Sequence, residues 1–201
     1  MVESAKEPTR KVIFWWKRAL DLLLCVPALI ILFPVLLVIA VAIRLDSPGD
    51  SLFRQDRVGQ GGRTFNLLKF RSMRTGTPEL STADMSKQSV RHITRLGGML
   101  RRFSLDELPQ LLNVLRGDMS LVGPRPALPS QTYLNEQRRQ SGVEAALPGI
   151  TGWAQINGRD DLSDDEKVAH DAYYVRNCSL GLDIIILIRT FLPVLKGQGN
   201  K

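Results

Sequence analysis

The run LLLCVPALIILFPVLLVIAVAI, residues 22–43, is apolar or proline at every position. It is long enough to enter a bilayer deeply, since about 20 apolar residues make a crossing. A chain of 201 residues then has room for one compact domain beside it. The run exceeds the core of a secretory signal, and no small-residue cleavage site precedes Arg44-Leu45-Asp46. Pro27 and Pro34 interrupt it, and each removes a backbone donor and favours a kink. Cations flank both ends: Lys11, Lys17 and Arg18 before it, Arg44, Arg54, Arg57 and Arg63 after it. The positive-inside tendency would put both flanks on one side, which a straight span cannot satisfy and a helix that dips and returns can. On the residues alone both topologies stay open. Trp15-Trp16, among the leading cations, has the composition of an interfacial anchor.

The formal net charge of +7 implies an acidic partner: nucleic acid, anionic lipid or a phosphorylated small molecule. No recognisable nucleic-acid module accompanies the charge, so nucleic acid is not an expected partner. Cys25 and Cys178 lack metal or redox spacing, which favours a reducing, cytosol-facing protein. Residues 51–58 and 64–70 read as two strands joined by Gly59-Gln60-Gly61-Gly62. Those glycines lack the helix and Lys-Ser/Thr of a phosphate loop. Lys69, Arg71 and Arg74 follow, as solvated charge or as the lining of an anion site. Residues 75–91 form a polar loop of the kind that often covers sites, and residues 94–102 a short basic helix whose Gly97-Gly98 permits close packing.

Arg101-Arg102-Phe103-Ser104-Leu105-Asp106-Glu107-Leu108-Pro109-Gln110 then supports two readings. Ser104-x-x-Glu107 has the spacing of a capping box before an apolar helix face. The same helix start would also favour ionised carboxylates and attract phosphate, making Asp106 a candidate nucleophile. Arg116-Gly117 supplies a basic last turn and a glycine stop. Arg125, fixed between Pro124 and Pro126, suits bidentate phosphate recognition, although a proline turn with a solvated arginine has the same spelling. Residues 128–144 read as a polar helix and 147–159 as a dense turn and loop segment. Asp160, Asp161, Asp164, Asp165 and Glu166 lack calcium-loop spacing and read as a helix start. Residues 180–196 read as an amphipathic helix in the membrane interface, with Asp183, Arg189, Thr190 and Lys196 on its polar face.

Several motifs occur in order: Lys17-Arg18-Ala19-Leu20-Asp21, FNLLKFRSM at 65–73, Arg95-Leu96-Gly97, SLDELPQL at 104–111, GDMSLVGPRP at 117–126, PGITG at 148–152, and Asn157-Gly158-Arg159. Together they resemble the bacterial sugar transferase family, the monotopic phosphoglycosyl transferases, over about residues 11–196. The resemblance implies an α+β, mainly helical fold: a re-entrant membrane helix in 1–45, a cytosolic catalytic domain with a small β-hairpin in 46–179, and an amphipathic interfacial helix and tail in 180–201. The length resembles the family's minimal catalytic form. The implied reaction moves a sugar phosphate from a nucleoside diphosphate sugar, with uridine the expected base, to undecaprenyl phosphate through a covalent aspartyl intermediate. Such a step begins glycan assembly at the cytoplasmic face of the bacterial inner membrane.

By motif, Asp106 would be the nucleophile and Glu107 a metal ligand or proton handler, the two holding Mg2+. Arg125 would hold phosphate, with Lys69, Arg71 and Arg101 as further candidates, and Pro34 and Pro27 would bend the membrane helix. Inner-membrane lipid, downstream glycosyltransferases and a second copy of the chain complete the expected partners. Two departures stand out: Phe33-Pro34 where the family has Ser-Pro, and Cys178 between Asn177 and Ser179 where tryptophan is frequent. The competing reading is a non-catalytic, membrane-anchored assembly factor for glycan enzymes, which intact Asp106, Glu107 and Arg125 oppose.

Overall fold

The computed structural model describes residues 15–76, 92–158 and 161–195, with side chains to residue 192. Arg10, Lys11, Arg159, Asp160, Lys196 and most of the polar loop at 75–91 lie outside the described residues. The apolar run forms helix α1, Trp15–Asp46, which continues through both prolines. Its exposed face carries Leu23, Ile30, Ile31, Phe33 and Val38, each more than 60% exposed. A second stripe, at helical spacing, faces the protein. Cys25 packs with Leu67, Leu111, Val114 and Met119, joined by Ala28, Leu29 and Leu32. Farther along, Ile39 and Ile43 pack with Phe70 and Leu100. A helix apolar on both its covered and its open side is compatible with membrane anchoring, and α1 is long and apolar enough to cross a membrane.

Polar residues at the two ends of α1 fix it to the body. Lys17 is buried and its Nζ donates to Asp183 Oδ2 at 2.6 Å and to Tyr174 OH at 2.8 Å. Asp21 Oδ1 accepts from Ser120 Oγ at 3.0 Å and Leu121 N–H at 2.9 Å. At the other end the Arg71 guanidinium donates to Ser47 O at 2.7 Å and to Pro48 O. Both ends of the apolar helix are therefore attached to the same folded body.

The expected hairpin is present: β1 (Leu52–Val58) pairs antiparallel with β2 (Thr64–Phe70), Leu52 opposite Phe70, across a 3₁₀ turn at Gln60–Gly62. Helix α2 (Arg95–Arg102) is capped by Thr94, and its Gly97 lies so close to β2's continuation that a Cβ would meet Ser72 O at 2.0 Å. Helix α3 (Gln110–Arg116) stops at Gly117, whose φ is 90°. A fully buried Asn113 on α3 accepts from Leu68 N–H at 3.0 Å and donates to Asn66 O at 2.8 Å, serving the free edge of β2 as a strand would.

The segment read as loop at 147–159 holds a strand and a helical turn. Strand β3 (Ser120–Val122) pairs in parallel with β4 (Gly149–Thr151), and helix α4 (Thr132–Gln140) lies in the crossover. The two strands approach so closely that a Cβ on Gly149 would stand 2.0 Å from Gly123 N. A four-residue turn α5 (Trp153–Ile156) follows, then α6 (Asp164–Asn177) and α7 (Leu180–Leu195). The acidic cluster is a helix start, as read, and Ser163 with Glu166 closes a capping box there.

The faces of α7 differ from the expectation in one respect. Asp183, placed on the polar face with Arg189, is 1% exposed and paired with Lys17, whereas Ile184, Ile185, Ile188, Phe191 and Leu192 point outward. Charge faces the body because Lys17 and Tyr174 satisfy it there. Asp183→Ala would strand Lys17 in the core and is expected to cost about 3–5 kcal/mol, read as a lowered thermal midpoint in detergent.

Candidate active site

The site forms where β2, the turn before α3 and the loop after β3 meet. Ser104 has φ 53° and ψ 23°, the only positive φ outside glycine among the described residues, and its side chain caps nothing. The expected capping box at Ser104-x-x-Glu107 is therefore absent. Residues 105–107 make a 3₁₀ turn instead, and the α-helix begins only at Gln110. A left-handed non-glycine residue stores strain of a kind concentrated at functional sites. Its consequence is to turn both carboxylates inward: Asp106 is 5% and Glu107 8% exposed.

Glu107 Oε1 accepts from Lys69 Nζ at 3.1 Å and from Arg125 Nη2 at 3.2 Å. Burial opposes ionisation of Glu107, but the charges of Lys69 and then Arg125, with their hydrogen bonds, outweigh it and lower its pKa to about 2. Asp106 behaves in the opposite sense. Burial raises its pKa, the neighbouring Glu107 charge adds to the rise, and Lys69, Arg101 and Arg125 only partly offset it. Asp106 Oδ1 is buried without a hydrogen-bond partner among the described residues. Two adjacent carboxylates are thus driven apart, one held ionised and the other left short of a cation.

Arg125 is placed by its backbone. Its carbonyl accepts from Arg138 Nη1 at 2.8 Å, and Gly149 N–H donates to Pro124 O at 2.9 Å. The hairpin closes the other side, with Arg57 Nη1 donating to Pro126 O at 3.1 Å and Val58 N–H to Ala127 O at 2.9 Å. Arg138 was not singled out in the sequence. It is buried, and its Nη2 meets Asp171 Oδ2 at 2.6 Å.

Of the residues expected at the site, Asp106, Glu107, Lys69 and Arg125 come together, and Arg101 acts on Asp106 through its charge. Arg71 does not join them, because its donors serve the end of α1. Pro27 and Pro34, expected to bend the membrane helix, both lie within the continuous helix α1.

A cleft of about 460 Å³ opens beside this cluster, with Ser104, Glu107 and Arg125 among its lining residues and Asp106 not among them. Arg138 and Lys167 are at the same wall, and the rest is mainly apolar. Among the described residues no group of three or more His, Cys, Asp or Glu could hold a metal alone. The site nevertheless fits Mg2+, which is commonly held by one or two carboxylates with substrate phosphates and water completing its shell. The unpartnered oxygen of Asp106 is the observation that favours a cation there.

A buried carboxylate clamped by two cations, beside a second carboxylate and an apolar cleft and on a body attached to a long apolar helix, is an arrangement that could meet a phosphorylated ligand at a membrane. Residues 12–197 match the family model described as bacterial sugar transferase, and the chain belongs to that family. It is 41% identical over 92% of its length to a UDP-N-acetylgalactosamine-undecaprenyl-phosphate N-acetylgalactosaminephosphotransferase of Aeromonas hydrophila, covering 45% of that protein. Against a UDP-glucose:undecaprenyl-phosphate glucose-1-phosphate transferase of Escherichia coli (strain K12) the identity is 44%, over 92% of this chain and 40% of the other. The chain spans less than half the length of these relatives. It matches the sugar transferase EpsL of Bacillus subtilis (strain 168) at 44% identity, over 91% of its own length and 89% of that protein.

Removing the Glu107 charge frees Lys69 and Arg125 to act on Asp106 and deletes a repulsion, both of which lower the Asp106 pKa. Carboxyl-carbon NMR of Glu107→Gln is therefore expected to show Asp106 titrating at lower pH than in the parent protein, and an unchanged or higher midpoint would refute the coupling.

Proposed function

We propose that this protein transfers a sugar 1-phosphate from a nucleoside diphosphate sugar, with UDP the expected carrier, to undecaprenyl phosphate. The observation that carries the reading is the buried Asp106–Glu107 pair, one oxygen unpartnered and the other bridging Lys69 and Arg125. An Asp106 carboxylate oxygen attacks the sugar-linked phosphorus. The bond from that phosphorus to the bridging diphosphate oxygen breaks, and the nucleoside monophosphate leaves with the electron pair. A phosphate oxygen of the acceptor then attacks the same phosphorus, the acyl-phosphate bond breaks, and Asp106 is restored as a carboxylate. Two displacements at one phosphorus let a single set of cations serve both.

Lys69 and Arg125, both at Glu107, would offset charge on the transferring phosphoryl group. Glu107 orients both, and an acid with pKa about 2 is a weak proton carrier near neutral pH. Of its two expected roles, metal ligand remains the better fit, beside that of organising the cations. Asp106 with Glu107 would hold Mg2+, which supplies neutralisation of the diphosphate.

The membrane geometry is part of the same proposal. Helix α1 spans 32 residues, about 48 Å at 1.5 Å per residue, against a hydrocarbon core of about 30 Å. Attachment of both its ends to one body supports a re-entrant helix that keeps the domain on one face, and the cytoplasmic face is where nucleotide sugars are available. The reaction would open assembly of a bacterial glycan at the inner membrane, ahead of downstream glycosyltransferases.

Asp106→Asn is expected to lower turnover by about 10³-fold or more, and Glu107→Gln by about 10²-fold or more, measured as nucleoside monophosphate release. Mass spectrometry of protein incubated with donor and Mg2+ should find a sugar phosphate on Asp106. Normal turnover in Asp106→Asn would sink the nucleophile assignment. Cysteines near residues 5 and 50 should label from the same side of the membrane, and opposite-side labelling would establish a span.

A further inference from the structure

Ser104 is fixed through its backbone, and its hydroxyl is left without a task. Its N–H donates to Arg101 O at 3.1 Å, and its carbonyl accepts from Glu107 N–H at 3.2 Å. The hydroxyl caps no helix and has no hydrogen-bond partner among the described residues. Ser104 is half-buried and lines the cleft together with Glu107 and Arg125. Asp106, with one buried oxygen unpartnered, lies between Ser104 and Glu107 in the chain.

The backbone at this point does not favour serine. At φ 53° and ψ 23° a Cβ crowds the following carbonyl oxygen, whereas glycine takes the same angles freely. A residue needed for the turn alone would be better met by glycine, yet here the strained position carries a hydroxyl at a cleft wall. The groups around it show what that hydroxyl adds. Ionised Asp106 and Glu107 accept hydrogen bonds and donate none. Lys69 and Arg125 donate, but both are turned to Glu107. Two uncharged hydroxyls elsewhere on the wall, Thr151 Oγ1 and Thr190 Oγ1, lie 2.7 Å from each other and serve one another. Ser104 thus supplies, beside the carboxylates, a neutral donor that nothing in the fold consumes.

Resting on the transferase reading above, we infer that the Ser104 hydroxyl binds the transferring phosphoryl group, donating a hydrogen bond to a nonbridging oxygen of the phosphorus that Asp106 attacks. Attack needs that phosphorus about 3–3.5 Å from the carboxylate oxygen, which brings its other oxygens to the short turn that carries both residues. The hydroxyl keeps its proton throughout, and no bond to it forms or breaks. Its part is to offset charge on the phosphoryl oxygens and to hold them in line with the carboxylate. The sugar ring and the nucleoside are held by other groups.

Two substitutions separate the hydroxyl from the backbone that carries it. Ser104→Ala removes the hydroxyl and keeps the strain; Ser104→Gly removes the hydroxyl and relieves the strain, and glycine takes φ 53° without hindrance. With donor and Mg2+ alone, loading of Asp106 with sugar phosphate is expected to slow by about tenfold or more in both variants, and by similar factors. Parent rates in both would overturn the inference and leave the transferase reading intact. A fall confined to one of the two would make the effect one of backbone geometry and overturn it as well. Failure of the parent protein to load at all would overturn the transferase reading, and the inference with it. Sulfur substitution tests the contact directly. Donors are prepared as the two diastereomers in which one nonbridging oxygen of the sugar-linked phosphorus is replaced by sulfur, a poorer hydrogen-bond acceptor. For one diastereomer the ratio of oxygen to sulfur loading rates is expected to be about threefold or more smaller in Ser104→Gly than in the parent, because the bond that sulfur weakens is already gone. Ratios unchanged for both diastereomers would place the hydroxyl away from the phosphoryl oxygens and refute the assignment.

Discussion

The site depends on one buried carboxylate shared by two cations. Glu107 bridges Lys69 from the β-hairpin and Arg125 from the loop after β3, residues that are far apart in the chain. Removing a carboxylate from water is costly, and the attraction of two cations offsets that cost only if both are held in place. Much of the surrounding backbone does this. The Arg125 carbonyl is fixed by Arg138, Arg138 by Asp171, and β2 by Asn113. With Glu107 satisfied, Asp106 remains as the carboxylate whose charge the protein does not fully answer. An incoming cation and phosphate would complete what the fold leaves open.

The membrane helix obeys the same logic at larger scale. Lys17 and Asp21 are almost fully withdrawn from solvent, yet both are partnered, by Asp183 with Tyr174 and by Ser120 with Leu121. These contacts, with Arg71 at the far end, attach an otherwise apolar helix to a polar domain. They also bring α1 and α7 to opposite sides of one cleft. The two helices with exposed apolar faces therefore also line the cleft.

The local signals were readable where one segment suffices to decide the structure. The hairpin, the glycine stop at Gly117, the acidic start of α6 and the apolar run all follow from residues close in sequence. The ordered motifs carried the carboxylate pair and Arg125. What failed were inferences in which a distant partner decides. Ser104-x-x-Glu107 has the spacing of a cap, but Lys69 and Arg125 compete for the glutamate and win. Arg71 follows Lys69 by two positions, yet it lies past the strand end, within reach of the carbonyls that close α1. Strands β3 and β4 are three residues each and rich in backbone contacts that no side-chain alternation announces. Arg138 gave no signal beyond being one of two adjacent arginines on a polar helix.

Asp183 shows how such errors arise and what they reveal. A charge on an amphipathic helix is ordinarily read as marking the wet side. Here Lys17, 166 positions away, turns it inward, and the isoleucines of the same helix are left outside. Water would penalise that arrangement, since it exposes apolar area without return. A bilayer removes the penalty, because the outward isoleucines then rest in hydrocarbon while the ion pair remains inside the protein. The outward isoleucines of α7 are thus the cost of burying the Asp183–Lys17 pair, a cost that an apolar cover on that face would lift. Helices α1 and α7, at opposite ends of the described chain, both carry exposed apolar faces, and Glu107 lies at the cleft they help to line.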